Sequence, residues 1–263
     1  MLDALRLDLR RERAQIVDFI RAQLAEAGYA RMVVGLSGGL DSSLVARLCV
    51  EALGPENVRG MMLPYCTSNP ESEAHARLLI DKLQISSDRF DITPMVQPLL
   101  DRHPHMSNRR KGNIMARCRM IALFDQSVVF RGLVAGTSNR TEILLGYVTI
   151  YGDAAAALEP IGHLYKCQVR ALSRHMGVSE VIIEKPPSAD LWTGQTDEGE
   201  LGFTYDEADQ ILYLLTEGGF SAEETAAQGF DPCVIEAIEH RMAVTAFKRR
   251  LPPALPVAGR SHG

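Results

Sequence analysis

The stretch Val33-Val34-Gly35-Leu36-Ser37-Gly38-Gly39-Leu40-Asp41-Ser42-Ser43 reads as an apolar strand, a Ser/Gly turn and a helix running from about Ser43 to Leu53. These residue types suit phosphate. Adjacent glycines let a backbone approach a ligand closely, and the N–H groups of such a turn and of the next helix start attract anionic oxygens. The hydroxyls of Ser37, Ser42 and Ser43 can donate to phosphate oxygens, and Asp41 can hold Mg²⁺. Two commoner nucleotide loops are excluded, because neither Gly-x-x-x-x-Gly-Lys-Ser/Thr nor Gly-x-Gly-x-x-Gly occurs in the chain.

The elements that must carry this loop follow from periodicity. Ile16, Phe19, Ile20 and Leu24 recur at helical spacing within residues 3–27, with Gly28 as a stop. Strands fit Met32–Leu36, Val58–Leu63, Arg89–Ile92 and Leu133–Ala135. Helices fit Glu71–Leu83, with Ser68 or Asn69 as N-cap and Pro70 in the first turn, then Met95–Leu100 and Asn113–Phe130. This alternation indicates an α/β fold with a parallel sheet. Ligands bind at the carboxyl ends of such strands, which puts Ser37–Ser42 and Gly136–Glu142 on one rim. The second half is more helical, with Lys166–Met176 closed by Gly177, then Asp206–Thr216, Ala222–Ala227 and Pro232–Phe247. Residues Pro186–Gly202, which include Trp192, read as a long loop, and the tail 252–263 as disordered. The whole chain, 1–263, is expected to form a single domain, with an N-terminal helical segment over about residues 1–30.

Composition excludes several classes. The chain has 263 residues, 46% of them hydrophobic, and a net charge of −5, so its surface as a whole does not attract nucleic acid or anionic membrane. Arg109, Arg110, Lys111, Arg117 and Arg119 form a basic cluster, but no aromatics interleave it as an RNA platform requires. No apolar run approaches the roughly 20 residues that span a bilayer, and the charged first residues have no signal-peptide core. The 5 cysteines are widely spaced without a Cys-x-x-Cys pair, which predicts free buried thiols and a reducing cytoplasm. His103 and His105 read as surface residues.

The loop resembles the PP-loop of ATP pyrophosphatases, which cleave ATP between the α and β phosphates. Later motifs narrow the resemblance to NAD synthetases: Lys111-Gly112-Asn113-Ile114-Met115-Ala116-Arg117-Cys118-Arg119-Met120, Gly136-Thr137-Ser138-Asn139-Arg140-Thr141-Glu142, Tyr151-Gly152-Asp153, Glu184-Lys185-Pro186-Pro187-Ser188-Ala189-Asp190-Leu191 and Thr196-Asp197-Glu198-Gly199-Glu200-Leu201-Gly202 stand in that family's order and spacing. Together they cover about residues 10–250. The resemblance implies an adenine-nucleotide α-hydrolase-like, Rossmann-like parallel sheet flanked by helices, with a helical C-terminal part, and a homodimer. It implies that deamido-NAD, ATP and ammonia are converted to NAD, AMP and pyrophosphate. The length leaves no room for a glutaminase domain, so the chain resembles the ammonia-using branch. A related ligase amidating another carboxylate, or one fed by a separate glutaminase, is the alternative.

The same resemblance implies roles. Gly35, Leu36, Ser37, Gly38, Gly39, Leu40, Asp41 and Ser42 would bind ATP, joined by Thr137, Lys166 and Ser188. Asp41 and Glu142 match the metal-binding carboxylates for Mg²⁺. Arg117, Asp153, Phe247 and Lys248 would contact deamido-NAD, and Asp41, Glu142, Asp153 and Lys166 would carry the chemistry. Three positions depart from the ammonia-dependent pattern: Ile150 replaces Lys, Ala157 replaces Asp, and Phe247 replaces the His before Lys-Arg. The first two remove a cation and an anion from the acceptor pocket.

Overall fold

The computed structural model describes residues 2–192 and 194–255. After α1 (Leu9–Ala27) come β1 (Met32–Gly35), α2 (Leu40–Leu53), β2 (Val58–Met62), α3 (Pro70–Leu83), β3 (Ser86–Arg89), α4 (Thr93–Asp101), α5 (Asn108–Phe130) and β4 (Leu133–Ala135). The rest is helical: α6 (Arg140–Leu145), α7 (Lys166–His175), α8 (Glu180–Ile183), α9 (Asp197–Leu201), α10 (Tyr205–Thr216), α11 (Ala222–Ala227) and α12 (Pro232–Val244). The strands form one parallel sheet in the order β3-β2-β1-β4. The connection from β3 crosses back over β2 and β1 to reach β4. Chain direction around the sheet therefore reverses between β1 and β4, and the rim there opens a crevice.

Strand alternation explains the layering. Met32 and Val34 point into a core shared with Ile16 and Ile20 of α1, Leu44 and Leu48 of α2, and Val169 and Leu172 of α7. Val33, between them, faces the opposite side with Met61, packed against Val96 of α4 and Met115, Cys118 and Ala122 of α5. A third core joins Leu145 and Tyr165 to Tyr205, Ile211, Leu212, Ile235 and Ile238 and fastens the C-terminal helices beside the sheet. Local chemistry sets the helix limits. Asp8 caps α1 by accepting from the N–H groups of Arg10 and Arg11, Gly28 closes it at φ 75°, and Asn69 caps α3 by accepting from Glu71 N.

Several boundaries differ from expectation. Helix α2 starts at Leu40, not Ser43, because Gly39 is its extended N-cap and the hydroxyls of Ser42 and Ser43 both donate to Gly39 O. Asp41 therefore lies in a helical first turn. The third strand is Ser86–Arg89, not Arg89–Ile92. It is an exposed sheet edge, and the apolar signal came from Ile85 and Ile92, which turn into the core on either side. The loop Pro186–Gly202 contains the short helix α9, and the last long helix ends at Val244 before a 3₁₀ turn over Ala246–Arg249. Cys66 and Cys233 are exposed, against the expectation that all the thiols are buried. No apolar periodicity marked α6 or α8; α6 is set by its Asn139 cap and α8 by the burial of Ile182 and Ile183. Most of the expected disordered tail, residues 256–263, lies outside the described residues.

Candidate active site

The turn after β1 is tightly wired. Gly38 adopts φ 70°, and a Cβ there would stand 2.0 Å from Ser72 O of α3, so only glycine fits. Ser37 N donates to Ser42 Oγ at 3.3 Å, and Gly39 N donates to Ser37 Oγ at 3.2 Å. Hydroxyls thus hold the backbone of an anion-binding turn at the start of α2.

On the neighbouring rim β4 ends in Gly136-Thr137, and Asn139 caps α6. Asn139 Oδ1 accepts from Glu142 N at 3.0 Å while Glu142 Oε2 accepts from Asn139 N at 3.3 Å. The same Asn139 donates through Nδ2 to Asp41 Oδ1 at 2.9 Å. One buried asparagine thus holds both carboxylates, Asp41 through its side chain and Glu142 through its backbone N–H. Between them lies Lys166, the first residue of α7 and only 3% exposed. Its Nζ is 2.5 Å from Asp41 Oδ2 and 3.3 Å from Glu142 Oε1.

Asp197 adds a third carboxylate, accepting from Tyr147 OH at 3.2 Å and from Tyr205 OH at 3.1 Å. The Tyr205 ring lies under Lys166 Nζ, 5.0 Å from its centroid. Burial pulls the Lys166 ammonium down, but Asp41 and Glu142 outweigh it and hold it above its ordinary value. Burial pushes Glu142 up to about 8, with Lys166 opposing and Asp41 and Asp197 adding. Three carboxyl groups share one ammonium, so ionisation of Glu142 leaves the site with an excess of negative charge.

These residues fit Mg²⁺. The donors are carboxylate oxygens, and the excess negative charge matches a hard dication. Among the described residues no group of three or more His, Cys, Asp or Glu is arranged to hold a metal.

Glu159 braces the turn after β4. Its Oε2 accepts from Ser138 N at 3.0 Å, and its carboxyl occupies the space a Cβ on Gly136 would need, 2.2 Å away. Burial raises this carboxyl from 4.5 to about 8. The folded chain therefore holds the proton more tightly than the unfolded chain, and stability falls as pH climbs through that window. Glu159→Gln removes the cost. Its stability is expected to exceed that of the unsubstituted chain at pH 8.5 by about 1–2 kcal/mol, since some water still reaches the carboxyl, and to match it at pH 5. Melting curves that differ equally at both pH values contradict this.

The rim opens into a cavity of about 1640 Å³. That exceeds the usual volume for one drug-sized ligand, roughly 300–1,000 Å³, and suits two nucleotides. Gly35, Leu36, Ser37, Gly39, Leu40, Asp41, Ser42, Thr137, Glu142, Lys166 and Ser188 line it, as do Arg117, Asp153, Phe247 and Lys248. Gly38 does not, being buried beneath Ser72, so it shapes the turn without lining the cavity.

The segment 146–153 is pinned from both sides. Arg117 Nη2 donates to Ile150 O at 3.2 Å, and Lys248 Nζ donates to Gly146 O at 2.7 Å and Val148 O at 2.6 Å. Asp153 accepts from Thr149 N at 2.9 Å, within the same turn. Ile150 lines the cavity; Ala157 does not, and its N–H pairs with Val134 O beside the sheet. Ser188 Oγ accepts from Asp190 N, and the Asp190 carboxylate accepts from Asn69 N and Ser72 Oγ, docking this loop on α3. His103 and His105 are exposed, away from the site.

Sequence reasoning missed Asn139, Tyr147, Asp197 and Tyr205 as site residues. The spacing Asn139-x-x-Glu142 matches a capping box and could have flagged the first. No local signal marks the tyrosines.

Comparisons with known proteins agree with this geometry. The sequence model of a family described as NAD synthase matches residues 12–252. The NH(3)-dependent NAD(+) synthetase of Trichlorobacter lovleyi is 49% identical over 260 residues, 99% of this chain and 95% of its own. An NH3-dependent NAD synthetase structure from Campylobacter jejuni superposes with TM-score 0.81 at 33% identity, covering 95% of this chain and all of its own. A structure described as NMN synthetase from Francisella tularensis superposes with TM-score 0.85 at 30% identity, covering 96% of this chain and all of its own.

Proposed function

The chain belongs to the NAD synthase family, and from that premise we propose that it is an ammonia-dependent NAD synthetase, an enzyme that amidates deamido-NAD with ATP and ammonia to give NAD, AMP and pyrophosphate. The observation that carries the reading is the buried Lys166 between Asp41 and Glu142, facing the Ser/Gly turn across one cavity.

A carboxylate is a poor acyl donor, so the nicotinate group must first take AMP from ATP, and ammonia then displaces AMP. The turn 35–42 binds the pyrophosphate part of ATP through backbone N–H groups and the hydroxyls of Ser37 and Ser42. Thr137 and Ser188 hold the nucleotide from the opposite walls. Lys166 offsets negative charge building on the leaving phosphates. Asp41 and Glu142 would hold Mg²⁺, which would supply positive charge against the phosphates. Arg117, Asp153, Phe247 and Lys248 shape the acceptor end.

The decisive assay measures NAD formed from ammonium, ATP and deamido-NAD, with glutamine in a parallel arm. No NAD in the ammonium arm overturns the reading, and NAD only with glutamine plus an added glutaminase moves the nitrogen source to a separate subunit. Nicotinate mononucleotide belongs in the same assay, because a close structural relative is described as an NMN synthetase and Ile150 alters the acceptor wall. A preference for the mononucleotide replaces the acceptor without touching the ATP chemistry.

The protein acts as one domain, in the cytoplasm, a compartment that suits its free thiols. It acts as a homodimer. Ile121, Phe124 and Val128 lie on one stripe of α5 and are 52%, 38% and 78% exposed, beside Val129 at 64%. Nearer its N-terminus the same face of α5 lines the cavity through Arg109, Asn113 and Arg117. Val128→Asp is expected to turn a dimer into a monomer in sedimentation experiments, and a wild-type chain that sediments as a monomer contradicts the assignment.

A further inference from the structure

We propose that Asp209, on α10 and outside the cavity, is a positioning residue that sets Lys166 and Glu142 in register for the reaction proposed above. Asp209 is fully buried. One oxygen, Oδ1, accepts from Thr141 Oγ1 at 2.5 Å; the other, Oδ2, accepts from Cys167 N at 2.7 Å. Thr141 Oγ1 in turn accepts from Lys166 N at 3.1 Å. Thr141 is itself fully buried and adjoins Glu142 on α6.

The pattern leaves no donor idle. The Thr141 hydroxyl uses its proton on Asp209 and a lone pair on Lys166 N. The first two N–H groups of α7, which no residue inside the helix can satisfy, are met by Thr141 and Asp209. A carboxylate at a helix N-terminus is also favoured by the helix dipole. One carboxylate thus ties the start of α7, where Lys166 begins, to the first turn of α6, where Glu142 sits. Lys166 Nζ and Glu142 Oε1 meet only if those two turns keep their spacing.

Burial raises the Asp209 carboxyl above its ordinary value, while the Thr141 hydroxyl and Cys167 N pull it back. Asparagine cannot copy the arrangement. It has one acceptor oxygen, and its NH₂ faces either the Cys167 N–H, donor against donor, or the Thr141 oxygen, which must then release Lys166 N or lose its acceptor.

The proposal rests on the synthetase reading, and its test separates the two. Wild type, Asp209→Asn, Thr141→Val and Thr141→Ser are compared for kcat, KM for ATP, and amide hydrogen exchange of Lys166 and Cys167. Asp209→Asn and Thr141→Val are expected to lose tenfold or more in kcat with KM for ATP within threefold. Thr141→Ser, which keeps the hydroxyl, recovers most of the turnover that Thr141→Val loses. The Lys166 amide exchanges at least tenfold faster in Thr141→Val while the middle of α7 keeps its protection. Full kcat in folded Asp209→Asn, or equal kcat in the Ser and Val variants, overturns the proposal. If Asp209→Asn does not fold, the Thr141 pair decides. If the wild type makes no NAD, the synthetase reading falls, and amide exchange alone still decides whether Asp209 and Thr141 hold the start of α7.

Discussion

Asp41→Asn is expected to lower kcat by about a thousandfold or more while costing the ligand-free fold less stability than loss of Lys166 does. The two effects share one cause. Asp41 is one of the carboxylates that share the Lys166 ammonium, at 2.5 Å, and its other oxygen is held by Asn139 at 2.9 Å. Asparagine has nearly the same shape and keeps an acceptor for one of these donors. It removes a full negative charge from a site where Asp41, Glu142 and Asp197 outnumber one lysine. Without ligands the charge removed partly offsets the cost of the donor left without an acceptor. With Mg-ATP it would be a loss, because in the proposed mechanism that charge would receive the cation. Steady-state kinetics over a Mg²⁺ series and a melting curve without Mg²⁺ check both parts. Near-normal turnover at millimolar Mg²⁺ removes Asp41 from the metal site.

Much of this arrangement was legible in the sequence, for identifiable reasons. The turn Ser37–Ser42 announces itself through residue type and the strand before it. Strand Leu133–Ala135 and helix Ala222–Ala227 stand where periodicity and capping put them, because their signals are local. The third strand was displaced because an exposed edge need not be apolar, whereas the residues flanking it were. Glu142 and Lys166 were recognised by motif, but nothing local shows that Lys166 is buried. Its burial comes from α10 and α9 closing over it, with Tyr205 beneath and Asp197 beside. Those contacts join segments distant in sequence and depend on the packing of Leu145, Tyr165, Ile211 and Leu212. The acceptor wall was harder for the same reason. Ile150 and Ala157 look equivalent as departures from the family pattern, yet only Ile150 faces the cavity. Ala157 lies beside the sheet, where its backbone, not its side chain, does the pairing.

Lys166→Met costs more stability than Asp41→Asn and keeps its effect on turnover. Removing the ammonium leaves Asp41, Glu142 and Asp197 facing one another without a cation. Breaking a buried ion pair from one side costs about 3–5 kcal/mol, which for a chain of this size lowers Tm by roughly 10 °C. The loss must depend on pH with a definite sign. Glu142 already binds its proton more tightly in the folded chain, at about 8, and removing Lys166 raises that value further. A carboxyl raised in the folded state destabilises the fold as pH climbs above its unfolded value, so the Tm deficit is small at pH 5 and large at pH 8.5. Mg²⁺ supplies the missing positive charge to Asp41 and Glu142. Millimolar Mg²⁺ is therefore expected to restore much of the lost Tm at pH 8.5 without restoring turnover, since the charge that Lys166 contributes to the leaving phosphates is still absent. Calorimetry at two pH values, with and without Mg²⁺, reads all of this. A Tm deficit independent of both pH and Mg²⁺ shows that Lys166 is held by packing and not by the carboxylates, and removes the electrostatic basis for placing the cation there.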